Sequence, residues 1–161
     1  MDDTTKISEM LRSLGISFHI EQHAAVFTVA ESLAHLEDKQ PVKNLLLQEK
    51  GAGRKILVIM DGAVRLDVKQ IAGLLQTRKL SFAPAEVLQQ VLGVSPGSVS
   101  LFSLGNDITK QVEVVVDGRL LTAPEVGFHP NNNTATVFIS GSDIPQIIQQ
   151  SGHQFTVLSQ S

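Results

Sequence analysis

Residues 40–60 read QPVKNLLLQEKGAGRKILVIM, and the way this stretch folds decides what the rest of the chain can be. Val42 to Gln48 and Lys55 to Met60 are aliphatic runs of strand length, and the EKGAGR between them supplies the glycines that a hairpin turn requires. The stretch therefore predicts an antiparallel pair. One feature of it does not belong to a core: Lys43 and Asn44 place a charge and an amide at the mouth of a run of three leucines.

Upstream, Ile7, Met10, Leu11 and Leu14 fall on one face of a helix from Thr5 to Leu14, with Gly15 as its stop. ISFHIEQH then alternates Ile16, Phe18 and Ile20 with polar residues, as a half-buried strand does. In TVAESLAHL, Thr28 and Glu31 stand at capping-box spacing and predict a second short helix. Downstream, Asp67 can cap a helix reaching about Gln76, RKLSFA reads as a short strand, and Pro84 opens a helix that Gly93 closes. SVSLFSL, VEVVVD, TATVFIS and QFTVLS read as strands, with a helix from about Asp143 to Gln150 before the last. The pattern predicts one α/β domain over residues 1–161: a mixed, curved sheet with helices packed outside.

Composition narrows the function classes. A chain of 161 residues can bury roughly 70% of the surface its unfolded form exposes. Apolar runs such as Ile56 to Met60 are far shorter than the ~20 residues of a membrane span, so no membrane partner is expected. MDDTTKISEMLRSLG carries acids where an export signal carries a basic stretch and an apolar block, which points to a cytoplasmic protein. The absence of cysteine excludes disulfides, thiolate metal sites and cysteine nucleophiles. A net charge of −3 argues against wholesale wrapping of nucleic acid, and DNA is not an expected partner, but a local basic patch remains compatible with it.

Several short motifs have bland readings that fit better. GVSPG, residues 93–97, matches the letters of a serine-hydrolase elbow, but the elbow needs a strand before the serine and a helix after it. Here a helix ends at Gly93 and a strand is expected from about Ser98, so Pro96 and Gly97 read as the centre of a type II turn. His19 and His23 would suit zinc on a helix; on a strand, without a third ligand or any cysteine, they read as a solvated or hydrogen-bonded pair, and no metal or cofactor is expected. GAGRK lacks the length of a phosphate loop and the helix that follows one. Lys50, Arg54 and Lys55 gather at the hairpin, and Arg78 with Lys79 before a strand; if the sheet curls so that Lys43 lies between them, the groups form one track for a phosphate backbone. In EVGFHPNNNTATVFIS, His129 precedes a proline and the three asparagines make a polar turn, so on spacing alone the stretch reads as a loop before Thr134 and Thr136 alternate into a strand.

VKNLLL near position 43, LGVSPGSVSLFSL near position 97 and GFHPNNNTATVFIS near position 129, with FTVAES ahead of them, resemble in order and separation the aminoacyl-tRNA deacylase family of prolyl-tRNA editing domains (YbaK/ProX type). Within it the chain looks most like the free-standing proteins that hydrolyse alanine mischarged on proline tRNA. The resemblance implies that family's barrel-like, curved sheet flanked by helices. It implies that Lys43, followed by Asn44, engages the terminal phosphate of the tRNA and the ester region. It places Gly127 and His129 in the aminoacyl pocket, with Asn133 and Thr134 after the loop as further substrate contacts, and Lys50, Arg54, Lys55, Arg78 and Lys79 are the candidate tRNA contacts. Asn131 stands where the family usually has a bulky apolar residue, and Leu46 and Gln48 depart from the Phe and basic residue of many relatives.

A fixed lysine supplies positive charge where an ester carbonyl oxygen turns negative, without being a nucleophile, and Asn44 can hold loop or substrate by its amide. No Ser/His/acid set is legible, so water is the expected attacking group, and the family implies help from the ribose 2′-OH of the substrate. A synthetase site built for proline cannot strongly exclude alanine, because a missing methylene is worth only about 1 to 3 kcal/mol, and a second, smaller sieve removes the error. The expected partner is mischarged tRNA(Pro), with prolyl-tRNA synthetase as a second candidate. Cys-tRNA(Pro) hydrolysis and a non-catalytic module binding aminoacyl-tRNA or RNA ends are the alternatives, and the oligomeric state is left open.

Overall fold

In the computed structural model, which describes residues 3–23, 40–51 and 53–159, the hairpin of residues 40–60 is the spine of a mixed sheet. Strand β2 (Val42–Glu49) runs antiparallel to β3 (Lys55–Asp61), in a register that sets Val42 opposite Asp61 and Gln48 opposite Lys55. The turn closes with a hydrogen bond from the Glu49 N–H to the Arg54 carbonyl at 2.8 Å. Gly51 and Gly53 both take positive φ there, at 87° and 80°, where a side chain would be strained.

Three further strands extend this pair. β4 (Leu80–Phe82) lies antiparallel to β2, while β5 (Val112–Asp117) and β8 (Phe155–Leu158) add in parallel beyond β3, giving the order β4-β2-β3-β5-β8. Central strands covered on both faces should be apolar throughout, and Ile56 to Met60 are each no more than 1% exposed. A second, antiparallel sheet has the order β1-β7-β6, from His19–Gln22, Ala135–Ile139 and Val126–Phe128. The curved sheet expected from the resemblance as barrel-like is not closed among the described residues: their strands form two sheets, and one parallel bridge between Gln40 and Val126 links the approach to β2 with β6.

The main core fills the space between the sheets. Leu46, Leu57, Ile59, Val114 and Val116 of the larger sheet meet Val126, Phe128, Val137 and Ile139 of the smaller. Helices α1 (Asp3–Ser13), α3 (Ala85–Leu92) and α4 (Ile144–Gln150) close this core with Ile7, Leu11, Leu88, Leu92, Ile144 and Ile148. The opposite face of the larger sheet carries Leu47, Ile56, Val58, Met60 and Val115 under Ile71 of α2 (Val68–Leu75). The Asp67 side chain accepts from the Gln70 N–H at 3.1 Å and caps α2, a bond worth about 1 kcal/mol. Gly93 ends α3 in the left-handed conformation.

Three expectations are corrected. SVSLFSL is no strand: residues Leu101–Asn106 form a 3-10 helix in which Ser100 accepts from the Phe102 N–H at 3.0 Å and Ser103 from the Ser100 N–H at 3.1 Å. Local serine bonds of this kind compete directly with a sheet ladder. The turn at Pro96 and Gly97 is a 3-10 turn, Pro96–Ser98, and Gly97 lacks the positive φ that a type II turn demands. Val126–Phe128, read as part of a loop, is a strand. The helix expected at TVAESLAHL lies outside the described residues.

Candidate functional site

The smaller sheet has one apolar face, turned to the main core, and one face carrying polar groups. Side chains alternate along a strand, and the register sets Gly127 opposite Phe138 and Phe138 opposite His19, in one row across three strands. Glycine at 127 has a packing cause. A Cβ there would lie 2.7 Å from the Thr136 methyl and 2.8 Å from the Phe138 ring. The His19 ring stacks on Phe138 at 4.8 Å between centroids.

The loop from His129 to Thr134 continues from this row and is pinned from below. Ser100 Oγ donates to the His129 carbonyl at 2.6 Å, and Ser103 Oγ donates to Asn131 Oδ1 at 2.8 Å. Both serines are fully buried. Asn131 sits at φ 63°, in the left-handed region that asparagine tolerates better than most residues. Asn132 Oδ1 accepts from both the N–H of Thr134, at 3.0 Å, and its hydroxyl, at 3.1 Å. Two of the stretches behind the family resemblance are thus one physical unit, the 3-10 helix forming the floor of the His-Pro loop.

His129 has its Nδ1 3.0 Å from the Ala135 carbonyl. A carbonyl can only accept, so Nδ1 carries the proton. Burial holds the ring below the ordinary imidazole range; the Ala135 bond opposes this in part, and nearby His23 adds to it. His23 stands edge-on to His129 with centroids 6.0 Å apart, and its Nε2 is 2.8 Å from Thr136 Oγ1. The two histidines singled out in the sequence therefore take different surroundings: His19 lies 3.4 Å from a Glu125 carboxylate oxygen, His23 beside His129. Among the described residues no group of three His, Asp or Glu side chains is placed to hold a metal ion.

The Gln40–Val126 bridge brings the entrance of β2 against β6. At that entrance Lys43 pairs with Met60 and Asn44 with Ile59, so the lysine leaves β2 on the α2 face and the asparagine on the main-core face. β4 covers β2 only from Leu47 to Glu49, which leaves the edge at Lys43 and Asn44 uncovered by it. Asn44 Oδ1 is buried and has no hydrogen-bond partner among the described residues. Buried polar atoms without partners are rare.

The basic residues lie elsewhere. Lys50 and Lys79 are joined by a 2.8 Å backbone hydrogen bond, and the Arg78 N–H donates to Glu49 at 2.8 Å, so the two basic groups merge at the hairpin tip. Lys43 is not between them; it is seven residues up β2, roughly 23 Å away at strand rise. Arg54 forms a two-pronged pair with Glu113 at 2.6 and 2.8 Å, and Lys55 donates to the Gly53 carbonyl at 2.6 Å. Lys50, Arg78 and Lys79 are the cations of this group that stand exposed.

Sequence reading missed Ser100 and Ser103 beneath the loop and the placement of His23 beside His129. The serine spacing of three, in a capping arrangement, was the available signal for the first two.

An aminoacyl-tRNA editing domain model matches residues 23–147. The chain is 34% identical over 160 residues to the prolyl-tRNA editing protein ProX of Acetoanaerobium sticklandii, covering 98% of each. It is 28% identical to the prolyl-tRNA synthetase associated domain-containing protein 1 of Danio rerio, covering 99% of this chain and 88% of that one. A solved structure described as a candidate trans-editing enzyme for prolyl tRNA synthetase superposes with a TM-score of 0.74 at 19% identity, covering 100% of this chain and 99% of the other.

Proposed function

The chain belongs to the aminoacyl-tRNA editing domain family, and from that premise we propose that it hydrolyses mischarged aminoacyl-tRNA in trans, with Ala-tRNA(Pro) as substrate. Residues 1–161 act as one editing domain, in the cytoplasm where tRNA is charged, with mischarged tRNA(Pro) as the partner and prolyl-tRNA synthetase as the source of the error. The observation that carries this reading is the crowding at Gly127. A position that cannot admit even a Cβ beside Thr136 and Phe138 fits a small sieve.

Lys43, on the stretch of β2 that β4 leaves uncovered, supplies positive charge to the terminal phosphate and to the carbonyl oxygen as the ester is attacked. Asn44 Oδ1, buried without a partner among the described residues, accepts a hydrogen bond from a substrate donor, and Gly127 and His129 shape the pocket. Asn133 and Thr134 border it, although the Thr134 hydroxyl is engaged by Asn132. Lys50, Arg78 and Lys79 follow the tRNA backbone at the far end of β2, with Arg54 and Lys55 as supporting charges. Water attacks the ester, and the ribose 2′-OH of the substrate positions it.

The test is turnover. Substoichiometric protein should release free alanine from Ala-tRNA(Pro), and a 2′-deoxy terminal adenosine should cripple release. Protection of the ester instead of release would convert the protein into a binding module. Faster release from Cys-tRNA(Pro) would reassign the substrate.

A further inference from the structure

We propose that His23, fastened to Thr136, is a positioning residue for His129: together they hold the His129 ring so that its bare Nε2 is offered to the substrate as a hydrogen-bond acceptor. The proposal rests on the editing reading of this site and adds a residue to it.

The geometry starts at the backbone. The His23 N–H donates to the Thr134 carbonyl at 2.9 Å, prolonging the β1–β7 ladder by one residue and fixing where the His23 side chain begins. Its Nε2 meets Thr136 Oγ1 at 2.8 Å. Thr136 is itself 5% exposed, with its methyl against the space over Gly127. His129 is held on one side by the bond from Nδ1 to the Ala135 carbonyl and faces the edge of His23 on another. With Nδ1 protonated, a neutral ring has a lone pair on Nε2, and Nε2 has no hydrogen-bond partner among the described residues.

The surrounding charges favour that neutral state. An imidazolium at His23 would repel one at His129, and burial disfavours the charged ring further. The carboxylates on the same side of the sheet do not offset this. His19 lies 3.4 Å from Glu125 and 3.9 Å from Glu21, so among the described residues both acids are drawn to His19. A neutral Nε2 can accept a hydrogen bond from the attacking water or from the ribose hydroxyl, fixing its direction toward the ester.

The experiment uses the full chain carrying His23→Ala, His23→Gln or Thr136→Val, with two readouts. Single-turnover deacylation should slow about 10- to 100-fold in His23→Ala, the scale of a reacting group misplaced by an ångström, with half-saturation changed less than about twofold. His23→Gln should recover most of the rate, since its amide can still bond Thr136. Thr136→Val keeps the shape without the hydroxyl, should slow the reaction as His23→Ala does, and carries the test if His23→Ala does not fold. Independently of any substrate, nitrogen-15 NMR of the imidazoles should show His129 protonated on Nδ1, with its titration moving up toward the ordinary value in His23→Ala. A His129 protonated on Nε2 in the unaltered protein, or a folded His23→Ala with unaltered rate and titration, overturns the proposal. If the unaltered protein releases no amino acid from any mischarged tRNA, the editing reading fails, and NMR alone then decides whether His23 sets the state of His129.

Discussion

Lys43 occupies a place where a charge has no structural use: it opens an aliphatic strand, and among the described residues it has no ion pair. Lys43→Ala should therefore leave thermal unfolding within about 0.5 kcal/mol, as for surface changes, while raising the barrier to deacylation by about 2.7 to 4 kcal/mol, the scale of a lost electrostatic stabiliser. A folded variant with unaltered single-turnover rate would remove Lys43 from the chemistry. His129 makes a prediction in pH. Its folded-state value is depressed, by burial first, so the unfolded state binds the proton more readily, and stability present above the unfolded value of about 6.5 is lost as pH falls through the lower folded value. Deacylation that needs the neutral ring should likewise persist below pH 6.5 and decline only at a more acid midpoint. A midpoint at or above the ordinary value, read from rate against pH, would contradict this. Lys43 and Asn44 were legible because a charge and an amide interrupt an apolar run. His23 was not, because its significance depends on Thr136 and His129, which stand 113 and 106 positions away in sequence and meet it only through the β1–β7 register.

The elements that matter most are the 3-10 helix Leu101–Asn106 and the loop it supports. Ser103→Ala leaves Asn131 Oδ1 without its donor and frees a left-handed residue; stability should fall by about 1 to 3 kcal/mol, and deacylation should fall with it, whereas unchanged melting and unchanged rate would mean that the floor is not needed. A second tie serves as a contrast. His153 Nε2 lies 2.8 Å from Asp107 Oδ2, both side chains are 1% exposed, and Asp107 also accepts from the Val112 N–H at 2.9 Å, joining the start of β5 to the junction of α4 and β8. His153→Ala removes a buried hydrogen-bond partner of Asp107, whose carboxyl keeps the Val112 and Gln111 N–H groups, and should cost about 1 to 3 kcal/mol in denaturant unfolding, with little change in rate for the molecules that remain folded. Ser151 Oγ meets the His153 ring at 3.0 Å but also donates to the Ile148 carbonyl at 2.6 Å, so this serine ends a helix. At this scale β2, β3 and β5 were readable because they are six to eight residues long and largely apolar. SVSLFSL misled because alternating serine and aliphatic residues imitate a strand whose serines in fact cap one another. β6, only three residues long with a glycine at its centre, has too little pattern to read.

At the scale of the whole molecule, the proposed function assigns two jobs to opposite ends of β2. The entrance, against β6, holds Lys43 and Asn44; the hairpin tip, roughly 23 Å on, exposes Lys50, Arg78 and Lys79. The net charge of −3 makes that tip a local exception, and cations on phosphates act through counterion release. Replacing Lys50, Arg78 and Lys79 by Gln should weaken tRNA binding and flatten its dependence on salt while leaving the saturated rate nearly unchanged; an unaltered salt dependence would place the tRNA backbone on another surface. The alternation of elements made the mixed α/β architecture legible, but the division into two sheets was not, since it depends on β6 and β7 pairing away from the hairpin. Selectivity against proline is the most direct consequence of the proposed small sieve at Gly127. Single-turnover hydrolysis of Ala-tRNA(Pro) and Pro-tRNA(Pro) at equal protein concentration should release alanine and spare proline, and equal rates on the two, or release from neither, would contradict it.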